Sequence, residues 1–178
     1  VLASDDYTMR YILQIYTADG NPSNERLVAY SDDKSVVFPV RLIAGRDYKF
    51  VVWADVVESE DDTDLHYNTS DLKNITLNDT WKAMDETRDA FTASVDVEDY
   101  SKSSSLNITL YRPFAKLRIV TTDIQAVRNL NVEPTKATVT YTTAYREAFN
   151  AYESKAKAAG SSKKVHTAYD IKSYGETG

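Results

Sequence analysis

The stretch YKFVVWADVV, residues 48–57, contains the clearest strand pattern in the sequence. From Tyr48 to Ala54 the even-numbered residues are apolar or aromatic, and they share one face because side chains alternate along a strand. On the opposite face, Val51 and Trp53 are apolar as well. Since a strand with two apolar faces is covered on both sides, we expect it to be central in its sheet and Trp53 to lie in the core.

The stretch Tyr7–Thr17 shows the same alternation near the start of the chain. One face of this predicted strand consists of Met9, Tyr11, Leu13 and Ile15. Arg10 and Gln14 lie on the other face, which the pattern therefore predicts to be the more polar one.

Two further strands are predicted between these stretches, at residues 26–30 and 36–43. Within the second, Pro39 has no N–H to donate to a neighbouring strand, so we expect an edge strand or a bulge. Strands at intervals of roughly 10 residues, separated by turn signals, indicate a β-sandwich or barrel rather than alternating strands and helices.

The pattern is less regular after residue 58. Short strands are predicted at residues 71–77, 93–97 and 137–141. One or two helical turns are predicted over residues 80–88. Residues 144–159 are rich in Ala, Lys and Glu, which favours a partly helical structure.

Around Pro113 the apolar residues change face. They are even-numbered before the proline and odd-numbered after it: Leu106, Ile108, Leu110, then Ala115, Leu117 and Ile119. One extra residue bulging from the ladder would reset the alternation and keep both sets in the core. Two separate strands joined by a tight turn would explain the pattern as well, because a proline can also begin a strand.

The composition is that of an ordinary globular protein and excludes several classes of function. Hydrophobic residues make up 42% of the 178 residues and charged residues 27%, a balance unlike that of disordered chains. The 13 tyrosines suit half-buried pleated surfaces and favour β structure. A net charge of −6 argues against nucleic-acid binding, which needs a basic surface. Because there is no cysteine, disulfides and thiolate sites are excluded.

Residue types that often carry chemistry show no recognisable arrangement. Five carboxylates within residues 58–64 could attract a hard cation, but they lack the spacing of a calcium loop, and a solvated acidic loop is the alternative. His66 and His166 are the only histidines, and no metal or catalytic motif joins them. There is no GxSxG elbow or glycine-rich phosphate loop. We therefore predict that the protein is not an enzyme and has no catalytic residue, cofactor or metal.

Trp81 is the candidate for a contact with glycans, because an exposed indole ring can stack on a sugar ring. Met84 follows it by about one helical turn, so burial of both side chains on one side of that turn is the alternative. Trp53 is a weaker candidate because its strand is apolar on both faces.

Four segments resemble the N-terminal domain of Bacteroides-type fimbrillin-like surface lipoproteins, which are subunits and relatives of type V pili. They are DYKFVVWAD (residues 47–55), RDAF (88–91), LYRPFAKLRIVTTD (110–123) and ATVTYTTAYREAFNAYES (137–154). The first and third are the most specific of the four. The resemblance implies an all-β fold, a transthyretin-like Greek-key β-sandwich with about seven strands and short helical turns in the connections.

The resemblance also implies a domain organisation and a location. Residues 1–155 would form the fimbrillin-like N-terminal β-sandwich domain, and residues 156–178 a C-terminal tail or the start of an incomplete second domain. The protein would lie on the cell surface, at the outer membrane or in the fimbriae of a Gram-negative bacterium. Its only link to the membrane would be an N-terminal lipid anchor, whose cysteine is absent from this chain.

The function implied is that of a non-enzymatic structural or adhesive protein that assembles by β-strand addition. Its partners would be other pilus subunits, itself by strand exchange, or host surface ligands. Strand Tyr7–Thr17, with Met9, Tyr11, Leu13 and Ile15, is the predicted exchangeable element because it is N-terminal and alternates cleanly. The alternative function is a surface module that binds glycans or a host protein without polymerising, with Trp81 as its glycan contact.

Overall fold

The computed structural model describes residues 6–23, 25–58, 63–78, 85–101, 105–115, 120–140, 146, 148–157 and, along the backbone, 166–170. The chain divides into two compact units. The first comprises Val1–Phe114 and Arg146–Ala158, and the second comprises Ala115–Tyr145 and Ala159–Gly178. This division differs from the predicted boundary at residue 155, because residues 115–145 group with the C-terminal region.

The described part of the chain is predominantly β. Its strands are β1 (Tyr7–Thr17), β2 (Leu27–Tyr30), β3 (Arg46–Glu58), β4 (Tyr67–Asn68), β5 (Ile75–Leu77), β6 (Ala90–Tyr100), β7 (Lys136–Thr140), β8 (Ala148–Asn150), β9 (Lys155–Lys157) and β10 (His166–Asp170). Two short helical elements accompany them, a 3₁₀ turn at Glu86–Arg88 and helix α1 at Ile124–Arg128.

Two antiparallel sheets make up the first unit over the residues that the structure describes. Sheet I has the strand order β2-β1-β3-β6, and sheet II has the order β4-β5-β8-β9. Strand β3 pairs with β1 on one side and β6 on the other, so its predicted central position is confirmed. The predicted all-β sandwich is likewise confirmed.

The inner face of sheet I packs against sheet II. Trp53 is 1% exposed at the centre of this interface, as predicted, and its ring meets that of Tyr67 edge to face at 5.4 Å. Such aromatic pairs contribute about 0.5–1.5 kcal/mol beyond the burial of their surface. The buried residues of this core are Ile12, Tyr16, Val51, Trp53, Tyr67, Leu72, Ile75, Ala90 and Ala151.

The outer face of sheet I carries a second core, covered by chain that forms no sheet. Its buried residues are Leu13, Ile15, Tyr48, Phe50 and Val52. Apolar side chains of two extended segments, residues 34–43 and 105–110, pack against this second core.

The strand predicted at residues 36–43 is wrong. The predicted alternation is present, since Phe38, Val40 and Leu42 pack on the outer face while Val37 is 89% exposed. Among the described residues, however, this segment pairs with no strand. Alternation depends only on one face meeting the core, whereas a ladder needs a neighbour, and Pro39 has no N–H to donate to one.

The segment before Pro113 also stays outside the sheets, apart from one bridge. Tyr111 exchanges two backbone hydrogen bonds with Thr92 of β6, at 2.8 and 3.0 Å. The predicted even-numbered face is present at Ile108 and Leu110, which pack on the outer core, but Leu106 is exposed, contrary to the prediction. Of the odd-numbered set, Ala115 is exposed, contrary to the prediction, and Leu117 and Ile119 lie outside the described residues. The first of the two stretches that form the first compact unit ends at Phe114, immediately after the proline.

The partly helical structure predicted for residues 144–159 is wrong for residues 148–157, and residues 144, 145, 147, 158 and 159 lie outside the described chain. Strands β8 and β9 form a hairpin there, with Ser154 at a φ of 52° in the turn. Ala151 is fully buried, and its N–H donates to the carbonyl of Leu72 at 2.8 Å. Burial of Ala151, together with the partly buried Phe149 against the inner core, outweighs the modest helix preference of Ala, Lys and Glu.

The other helical prediction, residues 80–88, lies partly outside the described chain. Its last residues form the single 3₁₀ turn Glu86–Arg88, capped by the carboxylate of Asp85, which accepts from the N–H of Thr87. In the second unit, β7 pairs with β10, and α1 was not predicted. Among the described residues, no helix has the length and apolar character needed to span a membrane.

Candidate functional site

A groove runs along the outer face of sheet I, and we call it the outer groove. Its floor is the alternating face of three strands: Met9, Tyr11 and Leu13 of β1, Phe50, Val52, Ala54 and Val56 of β3, and Phe91 and Val97 of β6. The register brings these residues side by side, with Tyr11 opposite Ala54 and Ala54 opposite Phe91. Because alternate residues share a face, the pairing of strands with matching apolar positions produces a continuous apolar floor.

The walls of the outer groove are the two extended segments. Residues 34–40 and 42 line the side next to β1, and residues 105–110 line the side next to β6. The groove has a volume of about 1780 Å³. Pockets for small molecules usually measure about 300–1,000 Å³, so this groove has the dimensions for a longer occupant.

The two walls run in opposite directions. Asp32, next to the first wall, accepts a hydrogen bond from Thr8 at the start of β1, and Ile43 at the wall's far end donates to the hydroxyl of Tyr48. The second wall leads towards Tyr111, which pairs with Thr92 near the start of β6. A strand lying between them would therefore run parallel to one wall and antiparallel to the other.

Backbone groups along the groove have few partners within the described chain. Past Thr92, β6 pairs with β3 alone, and neither wall segment belongs to a ladder. Exposed strand edges accept additional strands, because unpaired N–H and C=O groups are already aligned for pairing. The outer groove thus combines an apolar floor with backbone that can pair.

One end of the outer groove is charged. Its charged lining residues are Asp32, Asp33, Lys34, Glu86, Asp89 and Arg112. Arg112 pairs with Asp89 at 2.6 Å, and its guanidinium lies over the ring of Phe91 at 5.0 Å. Tyr11 donates to the backbone carbonyl of Asp33, and burial together with the Asp33 charge raises the pKa of Tyr11.

The predicted exchangeable strand, β1, lies inside sheet I. Met9, Tyr11 and Leu13 line the groove floor, and Ile15 is buried in the outer core. All eleven residues of β1 are in register with β3, and four of them also pair with β2. This position gives no support to exchange of β1, because its departure would break both ladders and open both cores.

The remaining predicted site residues are dispersed or outside the described chain. Trp81 lies outside the described residues, and so do residues 59–62 of the acidic loop. His66 is buried, and its Nε2 lies 2.8 Å from the hydroxyl of Thr87. His166 is on β10 in the second unit. Within the described chain, no three His, Asp or Glu side chains group closely enough to hold a metal ion.

A buried ionic network that was not among the predicted sites lies beneath the inner face of sheet I. Arg10 and Asp55 face each other in register, and both side chains are fully buried. The guanidinium of Arg10 donates to both carboxylate oxygens of Asp55, at 3.0 and 2.8 Å, and to Asp64 at 2.8 Å. Burial disfavours the charge on Arg10, but its hydrogen bonds to the two carboxylates outweigh burial and raise its pKa.

The signal that could have revealed this network is the charge pattern of the two strands. Asp55 interrupts an otherwise apolar strand, and Arg10 lies on the face of β1 that also carries Ile12 and Tyr16. A single charge in each of two neighbouring apolar strands indicates a buried pair. The network fills the inner core and has no access to the outer groove, so we assign it to stability.

Comparison with known families gives one match. A family of unknown function, DUF6562, matches residues 2–175. The chain belongs to this family. Membership of DUF6562 covers both compact units, since the match reaches from the start of the first unit into the last residues of the second. No curated protein matches the chain. No solved structure matches it either.

Proposed function

We propose that this member of DUF6562 is a non-enzymatic, cell-surface structural or adhesive protein that works by β-strand addition. The outer groove is the acceptor site, and the occupant is an extended segment of another protein chain, as between fimbrial subunits. The single observation that carries the proposal is the outer groove of about 1780 Å³, which lies between two extended segments that have no ladder partner among the described residues.

The physical argument is that an inserted strand would complete the second layer. Side chains at every second position of the strand would enter the groove, and each apolar one fully buried would contribute about 1.5–3 kcal/mol. Its backbone would pair with the wall segments, which lack a ladder among the described residues. The alternate side chains then provide sequence specificity, and the burial of apolar side chains together with backbone pairing provides affinity.

The groove, rather than β1, is the exchanging part in this proposal. Because β1 is held on both edges, it serves as part of the floor on which the incoming strand lies. Display at the outer membrane through a lipid anchor belongs to the same proposal, and its support is the resemblance to fimbrillin-like lipoproteins. Cleavage of the protein by a protease added to intact cells would test the surface location.

Strand addition is tested by binding of synthetic 11-residue peptides to the full chain. The set contains peptides in which apolar and polar residues alternate, including the sequence of Tyr7–Thr17, and scrambled peptides of the same composition. We expect an alternating peptide to bind and its scrambled counterpart to bind at least about tenfold more weakly, because only alternation directs all apolar side chains to the floor.

The matched variants are Phe38→Asp and Ile43→Asp, which place the same charge on one wall segment. Phe38 packs on the outer core, whereas Ile43 is 60% exposed and is not among the described residues that line the groove. Phe38→Asp is expected to weaken peptide binding by more than about tenfold and Ile43→Asp by less than about twofold. Equal binding of alternating and scrambled peptides, or no effect of Phe38→Asp, would contradict the proposal.

A further inference from the structure

The distribution of charge along the outer groove is strongly uneven. Four carboxylates line one end, those of Asp32, Asp33, Glu86 and Asp89, against two cations, Lys34 and Arg112. The described lining of the opposite end contains no charged side chain and includes Leu42, Phe50, Val97, Tyr100 and Ser105.

Contacts within the first unit place all the charged residues at the same end of sheet I. The hydroxyl of Thr8 donates to Asp32, and that of Tyr11 donates to the Asp33 carbonyl, so both acids lie by the start of β1. Asp89 immediately precedes β6, whose first residue pairs with Asp55 towards the end of β3. In an antiparallel sheet the start of β1, the end of β3 and the start of β6 lie at the same end of the sheet.

We call the charged end of the outer groove the acidic mouth, and its four acidic residues lie on both sides of it. Asp32 and Asp33 precede the first wall, whereas Glu86 and Asp89 lie by the second, where Arg112 neutralises Asp89. A strand that enters between the walls must bring one of its ends between these two acidic pairs. Among the described lining residues of this end, Lys34 and Arg112 offset two of the four negative charges, which leaves a net charge of −2.

We propose, on the basis of the strand-addition function above, that the outer groove selects an extended peptide segment with apolar residues at every second position and a basic residue at one end. The apolar positions occupy the floor from Val56 to Phe50, and the basic end lies at the acidic mouth. Complementary charge at the mouth fixes the depth and direction of insertion, because an apolar floor by itself tolerates sliding by two residues.

The two walls do not determine the direction in which an inserted strand runs, so the charge at the acidic mouth determines it. Since one wall runs from the acidic mouth and the other towards it, an inserted strand pairs with one parallel and one antiparallel neighbour in either direction. Backbone pairing therefore favours neither direction. The direction is determined by whether the basic residue lies at the N-terminal or the C-terminal end of the strand.

The test uses four 11-residue peptides that share one alternating apolar core. They carry two lysines at the N-terminal end, two lysines at the C-terminal end, or two glutamates at either end. We expect each lysine peptide to bind the full chain on the order of tenfold more tightly than the glutamate peptide with the same charged end, at low salt. This ratio should fall towards one at 1 M salt, where exposed charges are screened beyond roughly 3 Å.

Asp33→Asn is the variant that tests the acidic mouth, and Glu153→Gln is its control. Asp33 lines the mouth, whereas Glu153 is exposed in the β8–β9 turn of sheet II. Asp33→Asn should lower the lysine-to-glutamate ratio by about threefold, and Glu153→Gln should leave it unchanged. Equal affinity of all four peptides, or a ratio that survives Asp33→Asn and 1 M salt, would overturn this inference while strand addition stands. Failure of every peptide to bind would overturn strand addition itself.

Discussion

Arg10 shows most directly how one residue fixes the pairing of strands. Its guanidinium lies under sheet I with no exposed surface and is satisfied by Asp55, directly opposite on β3, and by Asp64. A shift of β1 by one residue would move Arg10 to the outer face and leave Asp55 buried without a partner. The cost of an unpaired buried charge therefore specifies the register, in addition to the apolar pattern.

Replacement of Arg10 by methionine should lower the free energy of unfolding by about 3–5 kcal/mol, because Asp55 would remain buried without its cation. Urea denaturation of the full chain measures this change. The double variant Arg10→Met/Asp55→Leu should recover most of the loss, since it removes both buried charges. Arg112→Met, at an exposed pair, should cost less than about 1 kcal/mol. A loss of similar size for Arg10→Met and Arg112→Met would contradict the role assigned to the network.

Acid should destabilise the first unit through Asp64. Partial burial opposes ionisation of this carboxyl, but hydrogen bonds from the N–H and hydroxyl of Thr69 and from Arg10 outweigh it and lower its pKa. A carboxyl whose pKa is lower in the folded state stabilises the fold above its unfolded pKa of about 3.9 and loses that contribution as pH falls through the folded value.

The measurement is the thermal unfolding midpoint from pH 7 to pH 2. The midpoint of the native chain should fall below about pH 4. The midpoint of Asp64→Asn should be lower than that of the native chain at pH 7 but should fall less over the same pH range. Glu153→Gln, an exposed control, should follow the native curve. A native-like pH dependence in Asp64→Asn would show that other carboxylates carry the effect.

At the scale of the elements, the strands of sheet I differ from the segments that cover it. Strand β3 has neighbours on both edges, whereas residues 34–43 rest on the outer core without a ladder among the described residues. Local stability follows this difference, because hydrogen-bonded core strands open only with the whole domain.

Amide hydrogen exchange should therefore be slowest in β1 and β3 and faster by orders of magnitude across residues 36–42. Ile43 should be an exception in its segment, because its N–H donates to the hydroxyl of Tyr48 at 3.0 Å. Hydrogen exchange followed by mass spectrometry or NMR measures the rates in the strands and in this segment. A bound alternating peptide should slow exchange in residues 36–42. Equal protection of β3 and this segment in the free protein would contradict the absence of pairing.

The errors of prediction at this scale have a common origin. Alternation at residues 36–43 was predicted correctly, but alternation reports the burial of one face and says nothing about a hydrogen-bonded neighbour. At residues 148–157, the Ala, Lys and Glu content favours helix, yet pairing of β8 with β5 and burial of Ala151 produce a hairpin. Both outcomes depend on segments distant in the sequence, which local preference does not contain.

For the whole molecule, the outer groove joins features from separate parts of the chain. Its floor comes from three strands, its walls from two connections, and its charged mouth from residues 32–34, 86–89 and 112. The alternating floor residues were predictable, because each strand was predicted or partly predicted. The groove was not, since it exists only where two covering segments lie apart on one face.

The sequence by itself determined the class of fold, the central strand β3 with Trp53 in the core, and the side to which most apolar residues turn. These follow from alternation, which is a local property of the backbone. Tertiary structure alone decided the pairing of Arg10 with Asp55, the hairpin β8–β9, and the outer groove with its acidic mouth. Each depends on contacts between residues far apart in the chain, where the desolvation of charges and apolar surface sets the energy.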